Sequence, residues 1–397
     1  MINKVIDWVV DNRVLLLYGL LAAAVTFLLY LYRLGSFVRG DSVYESKPFL
    51  EIESVQAIID SVSMAPVKIV EFIMVKIDDP NSTLLRIISV AIVLLAAAAF
   101  YRLIAKWHTH RIALLATLLF ITSSYSLHLG RFTNQDSLYY VIFPALILFG
   151  TWLKSKKYVV RLPFIFPALA LFLYVPGFIY SIVLLLIIFR KRLLLAWKFV
   201  DIRKNIISLA VSALLLVPLI YALAVRPSQL YEYLAIDRLT GPNGLAEFGK
   251  TLADIPDALF YSGPEHAYRW LTGTPVLDVA SIALLVLGIY GYIRGPHTLR
   301  ARAILLFALV SIFIIGSGSL VSLAILIPLL YIVIANGIVF LLQSWFTVFP
   351  RNPAARNTAL ALIAIFIALI CSYQLQRYFI AWPNAPETKS SLSAKAE

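Results

Sequence analysis

Long apolar runs separated by short polar punctuation dominate the chain, and these runs define its elements. The first covers residues 14–32, and others cover about 83–104, 112–129 and 138–153. At 1.5 Å per residue, a helix of about 20 residues crosses a hydrocarbon layer of roughly 30 Å. The stretch 162–189 is different, because basic clusters flank it on both sides: Lys154-Ser-Lys-Lys157 before and Arg190-Lys-Arg192 after. One crossing cannot leave both ends on one side. The pattern therefore predicts two short helices meeting at Tyr174-Val-Pro176-Gly177, where proline and glycine form the turn. Helices that fall short of full bilayer thickness imply a cavity above them. Further runs follow at about 205–225, 276–293, 303–316, 319–343 and 357–376. The predicted fold is an all-α membrane protein with about 11 transmembrane helices, forming one polytopic domain over residues 1–376.

Two segments break the short-loop pattern, and alternation of the runs puts both on the side opposite the N-terminus. In loop one (34–82), Val55, Ile58, Ile59, Val62, Ile69, Val70 and Ile73 recur at helical spacing. They predict an interfacial amphipathic helix over 54–76, interrupted at Pro66. Loop four (226–275) gathers Tyr231, Tyr233, Tyr261, Tyr268 and Trp270, aromatics that suit an interface and also sugar stacking. The tail over 377–397 is expected to lie on the same side and to be disordered. No internal repeat is visible, which argues against a transporter built from duplicated halves.

Composition agrees with the runs. The 397 residues are 61% hydrophobic and 14% charged, well below the roughly 25% charge of soluble domains. A net charge of +13 raises nucleic-acid binding as an option, but its distribution argues otherwise. Of 34 basic residues, 20 fall in the short loops on the N-terminal side, with only Asp7, Asp11 and Asp201 as acids there. That asymmetry is the positive-inside rule, so the charge reports orientation: N-terminus cytoplasmic, C-terminus extracytoplasmic, in a plasma or inner membrane. The single cysteine, Cys371, excludes an internal disulfide framework. The first run is expected to stay as a helix, because no small-residue cleavage site follows it.

The candidate chemistry lies in the outer loops. Arg131 and Asp136, in Gly-Arg131-Phe-Thr-Asn-Gln-Asp136-Ser, are close enough to pair. Arginine's planar fork suits phosphate, and the aspartate can bind an acceptor or hold the arginine. Taken alone, a salt bridge closing the loop explains them as well. His128 just before them reads as a membrane-edge residue. Asp41, soon after the first run, is a candidate general base, with a helix N-cap as the structural alternative. Glu45 lies one helical turn further on, where it could orient a substrate or simply be solvated. Lys68 and Lys76 could meet a lipid phosphate, although snorkelling is the default for interfacial lysine. His266, Tyr268 and Arg269, within Gly263-Pro-Glu265-His266-Ala-Tyr268-Arg269-Trp270, could contact a donor or form a surface turn. Two outer carboxylates could hold a divalent ion, but the ligand set is incomplete, and chemistry without a metal or other cofactor is expected. The chain has neither Walker A nor GxGxxG.

In order and sidedness these features resemble the GT-C superfamily of glycosyltransferases, in particular the branch of protein O-mannosyltransferases and the lipid A aminoarabinose transferase. The resemblance rests on Asp41 after the first run, the amphipathic helix of loop one, and Arg131 and Asp136 beyond the third run. It also rests on the break at Pro176-Gly177, on the long loop four, and on Leu271-Thr-Gly273-Thr-Pro275-Val-Leu-Asp278. It implies transfer of a sugar from a polyprenyl-phosphate lipid to a protein, lipid or glycan acceptor at the extracytoplasmic face, with inversion. Asp41 would then be the base, Asp136 a second acid, and Arg131 with a loop-one lysine the cations facing the donor phosphate. Protein mannosyltransferases typically carry Asp-Glu where this chain has Asp41-Ser42, so the acceptor class does not carry over. The alternative is a transporter or flippase of lipid-linked sugars. Transporters concentrate charge at mid-membrane, whereas here the runs are almost free of it.

Overall fold

Every element among the described residues is a helix. A computed structural model describes residues 13–34, 52, 54–77, 82–152, 158–263, 274–295, 298–319 and 321–393. The helices are α1 (Arg13–Leu31), α2 (Val55–Asp60), α3 (Ala65–Ile77), α4 (Ser82–Trp107), α5 (His110–Thr122), α6 (Ser124–Arg131) and α7 (Ser137–Trp152). There follow α8 (Tyr158–Phe172), α9 (Phe178–Phe199), α10 (Ile202–Val225), α11 (Gln229–Tyr233), α12 (Gly244–Phe260), α13 (Val279–Ile293) and α14 (Leu299–Ser317). A 3-10 turn, Leu323–Ile325, leads into α15 (Ile327–Val348), and α16 (Pro353–Gln376) continues through a π-turn, Arg377–Ala381, towards α17 (Pro386–Ser393).

Among the described residues, five helices are long and apolar enough to cross a membrane, or six if the bent pair α5–α6 is one span. α7 and α13 are apolar but shorter, and α9 runs unbroken through Arg190-Lys191-Arg192, which ends its apolar stretch but not the helix. Large apolar side chains face outwards, Phe164 at 73% exposure and Leu214 at 71% among them. A lipid environment accepts such a surface, and water does not.

The third run, expected as one helix, is bent by 63° between α5 and α6. Ser123 and Ser124 explain the break, since short hydroxyl side chains compete for the backbone. The Ser123 hydroxyl accepts from Ser126 N, and Ser124 N donates to the side-chain oxygen of Gln374 on α16 at 3.0 Å. The turn after α8 falls where the Pro-Gly signal put it. Gly177 sits at φ +70°, and a Cβ there would lie 2.3 Å from Ile314.

α13 and α15 pack backbone against backbone. A Cβ on Gly288 would lie 2.0 Å from the Val333 carbonyl oxygen, and one on Gly337 would lie 2.0 Å from that of Leu284. Each glycine therefore admits the other helix's backbone, the usual device where lipid supplies no hydrophobic drive for association. Asn336 Nδ2 seals the contact by donating to the Gly288 carbonyl at 3.0 Å.

Past residue 376 the chain was expected to be disordered; it is helical over Arg377–Asn384 and, after a break at Ala385, over Pro386–Ser393. The cause is aromatic. Tyr378 and Trp382 are buried at 0% and 1% exposure, and their rings stack at 5.8 Å. Arg377 adds a hydrogen bond to the Pro275 carbonyl at 2.8 Å.

Candidate functional site

α3 is amphipathic with its polar side turned inwards. Ile69, Val70 and Ile73 are 47%, 43% and 51% exposed, while Lys68 and Glu71 are 1% and 0% exposed. Lys68 and Glu71 are three residues apart and so share one helical face. Ionisable groups that turn away from an apolar surface mark a polar interior in a membrane protein. The break before α3 lies at residues 61–64, and Pro66 sits in the first turn, where the missing N–H costs nothing. Met64 N donates to the Tyr174 carbonyl at 2.9 Å, which docks this segment on the turn between α8 and α9. Asp60 pairs with Arg226 at 2.8 Å, and Gly177 N donates to the Tyr233 carbonyl at 2.8 Å. Parts of loop one, loop four and the 174–177 turn thus meet at one end of the bundle.

The connection between α6 and α7 reaches the same place. Gln135 Nε2 donates to Glu71 Oε2 at 3.4 Å, and Asn134 N donates to the Ser89 hydroxyl on α4 at 3.2 Å. Asp136 follows, half-buried, with its own N–H donated to the Asn134 side chain at 2.9 Å. Arg86, 3% exposed on α4, stacks over Phe132 at 5.1 Å and donates to the Leu34 carbonyl at 2.7 Å.

Arg131 lies at the C-terminus of α6 rather than in an irregular loop. Its Nη1 donates to the carbonyls of Leu29 and Tyr30 at 2.5 and 3.0 Å, and its Nη2 donates to that of Tyr32 at 2.6 Å. These bonds close the C-terminal carbonyls of α1, which would otherwise lack partners. The guanidinium also lies over Phe379 at 5.0 Å and Tyr378 at 5.7 Å. His128 packs at 5.0 Å on Trp382 and 4.9 Å on Phe132. A shell of aromatic groups from the C-terminal segment therefore holds Arg131 in place.

A second polar group is buried between α13, α16 and α6. Asp278 caps α13 through Ser281 N at 2.9 Å and accepts from Gln374 Nε2 at 2.6 Å. Gln374 in turn receives Ser124 N, so one amide ties three helices together.

Of the predicted site residues, Lys68, Arg131 and Asp136 belong to this end of the bundle. Asp41, Glu45, His266, Tyr268 and Arg269 lie outside the described residues. The sequence pattern did not single out Glu71, Arg86, Gln135 or the aromatic group around Trp382. The signal for Glu71 was present: an acid inside the apolar run Ile69-Val-Glu-Phe-Ile73, one turn after Lys68. Among the described residues, no group of three His, Cys, Asp or Glu side chains is placed to hold a metal ion. Comparison with protein-family models, with curated proteins and with solved structures found no match to this chain.

Proposed function

We propose that the chain is a membrane glycosyltransferase that moves a sugar from a polyprenyl-phosphate donor to an acceptor at the face where loops one and four meet. The observation that carries the reading is the burial of Glu71 against Gln135, next to Asp136, with Lys68 buried on the same face of α3 and bonded to the Ser61 carbonyl and hydroxyl at 2.8 Å. Remote segments deliver a cation, two carboxylates and an amide to the mouth of an apolar bundle. Placing them there is costly unless they act on something polar at the membrane surface. In this reading the runs make about 11 crossings, with the basic end cytoplasmic.

The acceptor hydroxyl or amine would lose its proton to the Asp41 carboxylate as its oxygen or nitrogen attacks the anomeric carbon. The bond from that carbon to the phosphate oxygen would break on the opposite side, inverting the centre, and the electron pair would leave with polyprenyl phosphate. Asp136 would orient the acceptor, and Glu71 would hold the connection that carries it. Lys68 would offset charge growing on the leaving phosphate. Arg131 contributes by fixing the end of α1, from which the chain runs on towards Asp41. No step requires a metal.

The test is transfer from a radiolabelled polyprenyl-phosphate sugar by purified protein in proteoliposomes, with Asp41→Asn and Asp136→Asn in parallel. Loss of transfer by about 10²-fold or more in either variant supports the role of that residue. Wild-type protein that moves the intact lipid-linked sugar between leaflets, with no transfer to any acceptor, would replace this reading with the flippase.

A further inference from the structure

The end of the bundle opposite the Lys68–Asp136 cluster contains a cavity of about 1020 Å³. It opens between the start of α5, the end of α15 and the start of α16. Three guanidinium-bearing residues line it: Arg111 from α5, Arg351 from the α15–α16 turn, and Arg356 from α16. Among the described residues, none of the three forms an ion pair, and no acid lines the cavity. Arg356 lies over the Phe346 ring at 4.9 Å, a contact that holds the guanidinium without neutralising it. Beneath the arginines, Leu115, Leu342 and Leu360 form an apolar wall.

Depth along the bundle restricts what can fill this space. Arg356 and Arg377 lie near opposite ends of α16 and its continuation, 21 residues apart, or about 32 Å along the axis. That is close to the roughly 30 Å hydrocarbon thickness of a bilayer. With Arg377 at the outer cluster, the Arg111–Arg351–Arg356 group lies at the phosphate level of the other leaflet. Both helices that begin here are already capped, α5 by Thr109 and α16 by Asn352, so they add their dipoles without seeking a partner.

We infer that this cavity binds the headgroup of an anionic membrane phospholipid. The phosphodiester would take bidentate bonds from the arginine forks, and the acyl chains would lie on the leucine wall. A phosphate with no apolar part would leave that wall wet, and a zwitterionic headgroup would bring its own cation to a site with three. The ligand is thus a lipid of net negative charge, bound at the end of α15 and α16. It does not depend on what the other end of the molecule does.

The experiment is native mass spectrometry of the full chain released from mixed micelles with phosphatidylglycerol, phosphatidylcholine of the same acyl chains, or inorganic phosphate. The expected result is retained phosphatidylglycerol, at least tenfold over phosphatidylcholine, and reduced by a similar factor in R111Q/R351Q/R356Q. Arg203→Gln, at the same end on α10 but outside the cavity, should retain the lipid. Equal retention of both lipids, full retention in the triple variant, or equal binding of inorganic phosphate would overturn the inference. Should the triple variant fail to fold, a photoactivatable phosphatidylglycerol on wild-type protein decides the point. Cross-links within 109–115 and 339–360 support the site, and cross-links confined elsewhere overturn it.

Discussion

Gln135 donates its side-chain amide to Glu71 across 3.4 Å, which joins a short connection between apolar helices to an amphipathic helix 64 residues earlier. The contact sets the height of Asp136 above the bundle, because the next residue along carries the carboxylate. Glu71 contributes a charge as well as a bond acceptor, and the two roles can be separated. Glu71→Gln keeps the volume and leaves an oxygen for Gln135, so the helix should stay docked. The expected outcome is an apparent melting temperature within a few degrees of wild type, with sugar transfer kept within a few-fold, because the contact that holds the connection survives. Transfer reduced about 10²-fold in a protein that still melts like wild type would show that the charge itself acts on the substrate.

The positions of the helices were legible because an apolar run of helical length has few alternatives in a membrane. The turn at Pro176-Gly177 was legible for a different reason: basic residues at both ends of 162–189 forced a reversal. The facing of α3 was not. An amphipathic pattern gives two faces without saying which is wet, and the interfacial reading left Lys68 snorkelling. Tertiary contact with Tyr174 and Gln135 turns the polar face inwards instead. The bend at Ser123 was hidden for a similar reason, since its partner Gln374 is 250 residues away from Ser124. The order after residue 376 depends on Tyr378 and Trp382 finding Arg131 and His128, which no local composition announces.

Arg131 closes three carbonyls at the end of α1. Lysine has a point charge on a flexible stem and cannot reproduce the fork. Arg131→Ala is expected to cost about 2–4 kcal/mol, since each buried carbonyl left without a donor is penalised. Arg131→Lys should recover only part of that. Thermal unfolding in detergent, followed by the near-UV signal of the Trp382 region, checks both. An Arg131→Ala protein as stable as wild type would show that the α1 carbonyls find water instead.

The α13–α15 contact makes a sharper claim because it is reciprocal. Gly288 faces the Val333 carbonyl and Gly337 faces that of Leu284, each 2.0 Å from where a Cβ would stand. Backbone cannot yield as a side-chain tip can, so the helices must separate. Gly288→Ala and Gly337→Ala should each cost about 1–3 kcal/mol, and the double variant less than their sum, since one separation relieves both clashes. Additive losses in unfolding measurements would mean that the two sites deform independently.

His108, in the turn between α4 and α5, is pushed down from its usual value near 6.5 to about 4, first by burial and then by the Arg300 guanidinium. Arg300 is fixed there by a 3.1 Å bond to the Trp107 carbonyl and by its position over the Trp107 ring. At pH 8, well above both values, the imidazole is uncharged in folded and unfolded chains alike and contributes almost nothing to pH dependence. Between pH 6.5 and about 4 the unfolded chain takes up a proton that the native one refuses, so stability falls as the medium is acidified. His108→Gln should flatten this part of the acid limb while leaving melting at pH 8 nearly unchanged. Arg300→Gln should flatten it only slightly, because burial is the larger cause. Melting curves from pH 8 to 4 on the three proteins test the ordering, and an acid limb unchanged in His108→Gln would assign it to other groups.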